Sequence, residues 1–257
     1  MGRPTYLITG AGSGIGRSIA VRISKKDKAA GLILVGRNEG ALRETAELLE
    51  APAEALVHRC DLTSLGSIQS LGRALRERGV ALSGLVMNAG VAEENHYGEH
   101  DLWDEILATN LTGQYQLTRE LLPLLRLEPK EYKNIVYISS NLARVGVPKY
   151  SAYCASKAGI LGLTRSLAVE LAAEKILVNA VCPGWVKTKM ADKGVENFSK
   201  NTGLDLAAAE KTLLANVPLG KMCDPEEVAE LVYFLLSGVQ ASITGQTFDI
   251  NNGSEMP

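Results

Sequence analysis

The chain has 257 residues, 46% hydrophobic and 22% charged, the composition of a globular protein with ample material for a core. Its formal net charge of -2, with no block of like charge, argues against a nucleic-acid footprint or a membrane-surface patch and favours a small-molecule ligand. Cys60, Cys154, Cys182 and Cys223 are scattered without a C-x-x-C pair, so neither a disulfide framework nor a structural zinc site is expected, and a reducing cytoplasm suits them.

No apolar run is long enough to span a bilayer, and no charged-then-apolar leader precedes the segment from Tyr6 to Thr9. Short runs rich in Val, Ile and Leu predict strands over 5–9, 32–36, 55–60, 84–88, 134–139, 177–182 and 247–250. Between them, helical periodicity predicts helices over 14–25, 39–49, 64–78, 101–125, 151–173 and 225–236. Continuously apolar strands are buried on both faces, and their alternation with helices predicts an α/β fold with a doubly wound parallel sheet. With no linker, repeat or composition break, 1–257 reads as a single domain.

In chain order, the first strand runs into Thr9-Gly10-Ala11-Gly12-Ser13-Gly14-Ile15-Gly16, and a helix follows. Glycines permit a tight turn and bring backbone N–H groups close to a pyrophosphate, while the helix N-terminus adds partial positive charge. The register is G-x-x-x-G-x-G, because Ile15 stands where G-x-G-x-x-G would place its third glycine. The second strand ends Gly36-Arg37-Asn38, with an arginine where an NAD site carries an acid. A guanidinium matches the extra phosphate of NADP(H), which is therefore the favoured cofactor, with NAD(H) the alternative. Ser13 weakens that preference, since a second basic residue there would have strengthened it.

Farther on come Asn88-Ala89-Gly90 after the fourth strand, Asn110 inside the 101–125 helix, Ser139-Ser140 after the fifth strand, and Tyr153-Cys154-Ala155-Ser156-Lys157. Residues four apart share a helix face, so the Tyr153 phenol and the Lys157 ammonium are expected in one site. Lowering a phenol by about three pH units needs roughly 4 kcal/mol, and one ammonium at about 4 Å near a protein surface supplies that much. After Pro183-Gly184 the stretch to Pro218 breaks the rhythm, with Gly194 and Gly203 as hinge candidates. It reads as short helices forming a lid near 186–217. Among the histidines, His96 and His100 lie four apart with no third ligand in view, so no metal site is expected.

Taken together, the glycine loop, Asn88-Ala89-Gly90, Asn110, Ser140, Tyr153 with Lys157, and Pro183-Gly184 resemble the single-domain subgroup of the short-chain dehydrogenase/reductase family over essentially the whole chain. The resemblance implies a Rossmann-type sheet of seven parallel strands in the order 3-2-1-4-5-6-7, with helices on both faces. It implies that Tyr153 is the acid/base, that Ser140 bonds the substrate oxygen, and that Lys157 lowers the phenol while binding the nicotinamide ribose. Asn110 matches the asparagine whose helix distortion holds a water behind Lys157. Gly10, Ser13, Gly14, Ile15, Gly16, Arg37, Asn38, Asp61 and Leu62 fall in the cofactor-binding pattern, Asp61 at the adenine, although Asp61 also reads as a cap for the next helix. So do Asn88, Ala89, Gly90, Pro183, Gly184, Val186 and Thr188, the last four placing the nicotinamide amide.

The reaction expected from these residues is interconversion of a ketone and a secondary alcohol, Ser140 and Tyr153 bonding the oxygen where negative charge grows. Val147, Tyr150, Trp185 and Met190, with Val195 and Phe198 of the lid, are candidate pocket walls and point to a partly apolar ketone. The segment from Val181 to Val186, followed by a long lid, resembles β-ketoacyl and polyketide-type ketoreductases of the same family. The other readings are an enzyme that uses bound nicotinamide transiently and an NADP(H)-sensing protein without turnover. The 101–125 and 151–173 helices carry more apolar residues than one inward face needs, and the resemblance implies a homotetramer or homodimer through them.

Overall fold

A computed structural model describes residues 3–50, 54–127 and 131–256. Seven strands form one parallel sheet: β1 (Thr5–Thr9), β2 (Gly31–Gly36), β3 (Glu54–Arg59), β4 (Gly84–Met87), β5 (Lys133–Ile138), β6 (Ile176–Pro183) and β7 (Thr247–Ile250). Their order is β3-β2-β1-β4-β5-β6-β7, as the resemblance implies. The chain reverses direction across the sheet between β1 and β4, which pair through Ile8 and Val86. A cleft opens there at the carboxyl ends of the strands, the place where such sheets bind ligands.

The helices are α1 (Gly14–Lys26), α2 (Glu39–Glu47), α3 (Leu65–Glu77), α4 (Trp103–Leu107), α5 (Gly113–Leu125), α6 (Ser151–Leu171), α7 (Lys189–Thr202), α8 (Leu206–Leu214) and α9 (Pro225–Leu236). Strand side chains alternate between two buried layers, as a two-residue period requires. Leu7, Leu85, Ile135 and Val178 pack with Leu71 of α3, Leu121 of α5 and Ile160 of α6. Ile8, Val86, Val136 and Val181 pack with Ile19 of α1 and Val232 of α9. Burial of both faces explains why these strands read as unbroken apolar runs.

The segment read as one helix over 101–125 is instead α4, a π-helical turn over Ala108–Thr112, and α5. The π turn contains Asn110, which is fully buried. Between β6 and α9, α7 and α8 build a small core of their own from Ala191, Val195, Ala209 and Met222. Both are firmly begun: Thr188 Oγ1 accepts from Ala191 N at 3.4 Å, and Asp205 Oδ1 accepts from Ala208 N at 2.8 Å.

Candidate active site

The turn after β1 is held from two sides. Thr9 Oγ1 accepts from the backbone N–H groups of Asn88 and Ala89 at 2.9 and 3.0 Å, and the Asn88 amide donates to Thr9 O at 2.9 Å. This ties the glycine loop to the end of β4. Gly10 has φ +66, and a Cβ at Gly16 would fall on Gly10 O and within 2.6 Å of the Asn88 amide nitrogen, so both glycines are required by backbone geometry. Behind the loop, Arg17 donates to Gly12 O at 2.6 Å and to Thr45 Oγ1 at 3.0 Å. Ser13 precedes α1 but its side chain caps nothing, and the first turn holds no acid. Uncapped N–H groups beside a glycine cradle fit a pyrophosphate.

At the end of β2, the exposed Arg37 lines the same cleft. Asn38 lines it too, but its Oδ1 caps α2 by accepting from Ala41 N at 3.1 Å. Asp61 accepts from Thr63 N at 2.9 Å and Thr63 Oγ1 at 2.8 Å, and those bonds, with Arg37 and Arg59 nearby, hold its carboxyl below the ordinary value. Asp61 thus closes a turn, Ser64 caps α3, and neither Asp61 nor the buried Leu62 lines the cleft.

Across the cleft, β5 and α6 bring Ser140, Tyr153 and Lys157 together. Tyr153 and Lys157 are almost wholly buried, with the ammonium 5.6 Å from the ring centre. Burial, not the Lys157 charge, dominates the titration of the phenol. Burial pushes the Tyr153 phenol up to about 12, partly offset by a hydrogen bond with Ser140. Burial likewise brings the Lys157 ammonium down to about 8. Lys157 Nζ donates to Ile138 O at 2.9 Å, and Ser139 Oγ donates to Lys157 O at 2.8 Å, fastening α6 to β5.

Asn110 presents both ends of its amide to Val91, accepting from its N–H at 2.8 Å and donating to its carbonyl at 2.9 Å. It also donates to Ser156 Oγ at 3.1 Å. A Cβ at Gly90 would stand 3.2 Å from Asn110 Oδ1 and 3.3 Å from Lys157 Nζ, so Gly90 leaves that corner open. A π turn frees backbone groups from the regular ladder, and such turns recur at functional sites.

The match to known proteins agrees with this geometry. Residues 10–255 fit the family model described as enoyl-(acyl carrier protein) reductase, a branch of the short-chain dehydrogenases/reductases. The chain belongs to the short-chain dehydrogenase/reductase family. A Streptomyces coelicolor relative with a provisional ketoacyl reductase name is 37% identical over 250 residues, covering 96% of this chain and 95% of that one. A 3-oxoacyl-(acyl-carrier-protein) reductase of Vibrio harveyi is 33% identical over 252 residues, covering 97% and 96%. A single-substitution variant of actinorhodin polyketide ketoreductase, solved with NADPH, superposes with a TM-score of 0.90 at 37% identity, covering 98% of this chain and 97% of that one.

In this short-chain dehydrogenase/reductase the cleft measures about 1290 Å³, more than the roughly 1,000 Å³ upper range of single-ligand pockets, and so has room for a dinucleotide and a substrate. Pro183, Gly184, Val186, Thr188 and Ala89 line it. Val147, Tyr150, Trp185, Met190 and Phe198 also line it, whereas Val195 is buried in the small core formed by α7 and α8. Trp185 packs against α7, where a Cβ at Gly194 would come within 3.1 Å of the indole, so Gly194 makes room for the ring.

The loop after Gly90 holds residues that sequence reading missed. Glu93 pairs with Lys193 of α7 at 2.5 Å, and Glu94 accepts from the Asn201 amide at 2.9 Å and meets Lys149 at 3.5 Å. Lys149 itself has φ +66, unusual for a residue with a side chain. His96 and His100 are exposed, and among the described residues no group of three His, Cys, Asp or Glu could hold a metal. No helix among the described residues is long and apolar enough to cross a membrane.

Proposed function

We propose that this enzyme interconverts a ketone and a secondary alcohol with NADP(H), using Tyr153 as the proton donor in reduction. One observation carries the reading: a buried phenol, bonded to Ser140 and held protonated well above neutral pH, stands in a cleft that begins at a glycine-rich phosphate loop. A protonated phenol is the form that donates to a developing alkoxide. The cofactor is NADP(H), supported by Arg37 at the end of β2 and by the NADPH in the related polyketide ketoreductase. When bound, it supplies the hydride.

The chain's own residues do the rest. Gly10, Gly14, Gly16, Ser13 and Ile15 would hold the pyrophosphate, and Arg37 the extra phosphate. Ser140 and Tyr153 hydrogen-bond the substrate oxygen where charge grows. Lys157 lies behind the phenol and replenishes its proton, with Asn110 shaping the corner that water would use. Asn88, Ala89, Gly90, Pro183, Gly184, Val186 and Thr188 frame the nicotinamide end. We read 1–257 as one cofactor-binding domain, with α7 and α8, inside 186–217, as its lid. The apolar lining residues Val147, Trp185, Met190 and Phe198 suit a partly apolar ketone of the β-ketoacyl or polyketide kind, and the free cysteines suit the cytoplasm.

The test is NADPH oxidation against a panel of ketones and β-keto esters, beside NADH and a Tyr153→Phe variant. Turnover lost in the variant while NADPH still binds supports the assignment. Turnover that survives loss of the phenol means that another group donates the proton. Firm NADPH binding with no turnover anywhere on the panel favours an NADP(H) sensor.

A further inference from the structure

The helix that carries Tyr153 has no cap of its own. Tyr150 stands at the cap position of α6 and offers no side-chain bond to the first turn, because its ring is turned toward α7, where its hydroxyl meets Asn197. The missing acceptor comes from 57 residues upstream. Asn95 Oδ1 accepts from Ala152 N at 3.1 Å, the second helical N–H, which a cap side chain ordinarily takes. The Asn95 amide also donates to Ser151 Oγ at 2.9 Å and faces Asp101 Oδ1 at 3.4 Å, while its backbone N–H donates to Lys149 O at 2.7 Å. Asn95 is 5% exposed, so its bonds are sheltered from competing water.

The loop that carries Asn95 is held on its N-terminal side. Val91 is clasped by Asn110, and Glu93 and Glu94 are tied to α7. Asn95 follows directly, its own N–H is held by Lys149 O, and it meets the first turn of α6 at Ala152, one residue before Tyr153.

We propose that Asn95 is a positioning residue for the reaction: by capping α6 from another element it sets the Tyr153 phenol against Ser140. The proposal rests on the reading of Tyr153 as proton donor. A small displacement of a reacting group is costly, so Asn95→Ala is expected to lower kcat by about tenfold to a hundredfold. Its KM and Kd for NADPH should stay within about twofold of the parent, because the glycine loop is untouched.

The double variant Asn95→Asp, Asp101→Asn exchanges the two side chains. It keeps an acceptor facing Ala152 and a donor–acceptor pair across the loop, and should return kcat to within about threefold of the parent. In the protein without cofactor, amide exchange at Ala152 should quicken in Asn95→Ala and slow again in the exchanged pair. If Asn95→Ala is insoluble, Asn95→Ser, too short to reach Ala152, makes the same comparison.

A kcat unchanged in Asn95→Ala overturns the proposal. So does a kcat loss that travels with loss of NADPH binding and is not restored by the exchange, since that is a merely structural defect. Tyr153→Phe separates the two layers: turnover that survives it removes the proton-donor reading, whereas Ala152 exchange still judges the cap.

Discussion

Lys157 is placed at a cost to stability, and the cost can be measured. Its ammonium is buried and falls from 10.5 to about 8, which at about 1.4 kcal/mol per unit corresponds to about 3 kcal/mol. Lys157→Met keeps an unbranched side chain and removes the charge. It also leaves Ile138 O without its 2.9 Å donor, a loss of about 1 to 2 kcal/mol. The variant is therefore expected to be more stable than the parent at pH 7 by about 1 to 2 kcal/mol, or roughly 2–8 °C in Tm for a chain of this size. The pH dependence fixes the sign. Between about 8 and 10.5 the folded lysine has released its proton while the unfolded chain keeps one, so parent stability rises with pH across that window. The advantage of the variant should shrink from pH 8 upward and vanish or reverse near 10.5. Paired thermal melts of the protein without cofactor read this directly, since the other titrating groups are common to both. A variant less stable at pH 7, or an advantage that does not change with pH, refutes the reasoning. Turnover should be lost throughout, which is the ordinary tension between stability and a working site.

Arg37→Ala should weaken NADPH binding by about tenfold to a hundredfold, the worth of a charge-assisted phosphate contact, and leave NADH within about twofold in titration. Equal losses for both cofactors would show that Arg37 does not read the extra phosphate. The outward face of α6 presents Ala155, Ala158, Gly162 and an 81%-exposed Val169, so sedimentation at micromolar protein should give a homotetramer or homodimer. A monomer would refute that reading, and Val169→Glu should shift any assembly toward smaller species.

Much of the fold was legible because the sheet is parallel and buried on both faces. Runs such as Leu32 to Val35 and Ile135 to Ile138 have no polar alternation to confuse them, and the observed strands differ from the expected ones by a residue or two at the ends. The strand order came from the family resemblance, not from periodicity, and the sheet bears it out. Likewise, the four-residue spacing of Tyr153 and Lys157 was enough to put both side chains in one cleft, since an α-helix leaves little choice.

What could not be read depends on partners distant in the chain. Apolar periodicity runs unbroken through 101–125, so the π turn leaves no pattern there and only the family resemblance pointed to a helix distortion at Asn110; in the fold both ends of the Asn110 amide bond Val91. The phenol and ammonium titrate where burial sets them, and burial is a property of the closed fold and not of the i, i+4 spacing. The same reason hid Asn95. A capping residue is normally sought just before its helix, but α6 is preceded by Lys149 and Tyr150, whose side chains reach toward α7 and the 93–94 loop. The donor at Ala152 is met from another element instead, by Asn95 of the loop that also bears Glu93 and Glu94. One short segment, 93–95, thus contacts both α7, through Glu93 and Glu94, and the start of the helix that bears the phenol, through Asn95.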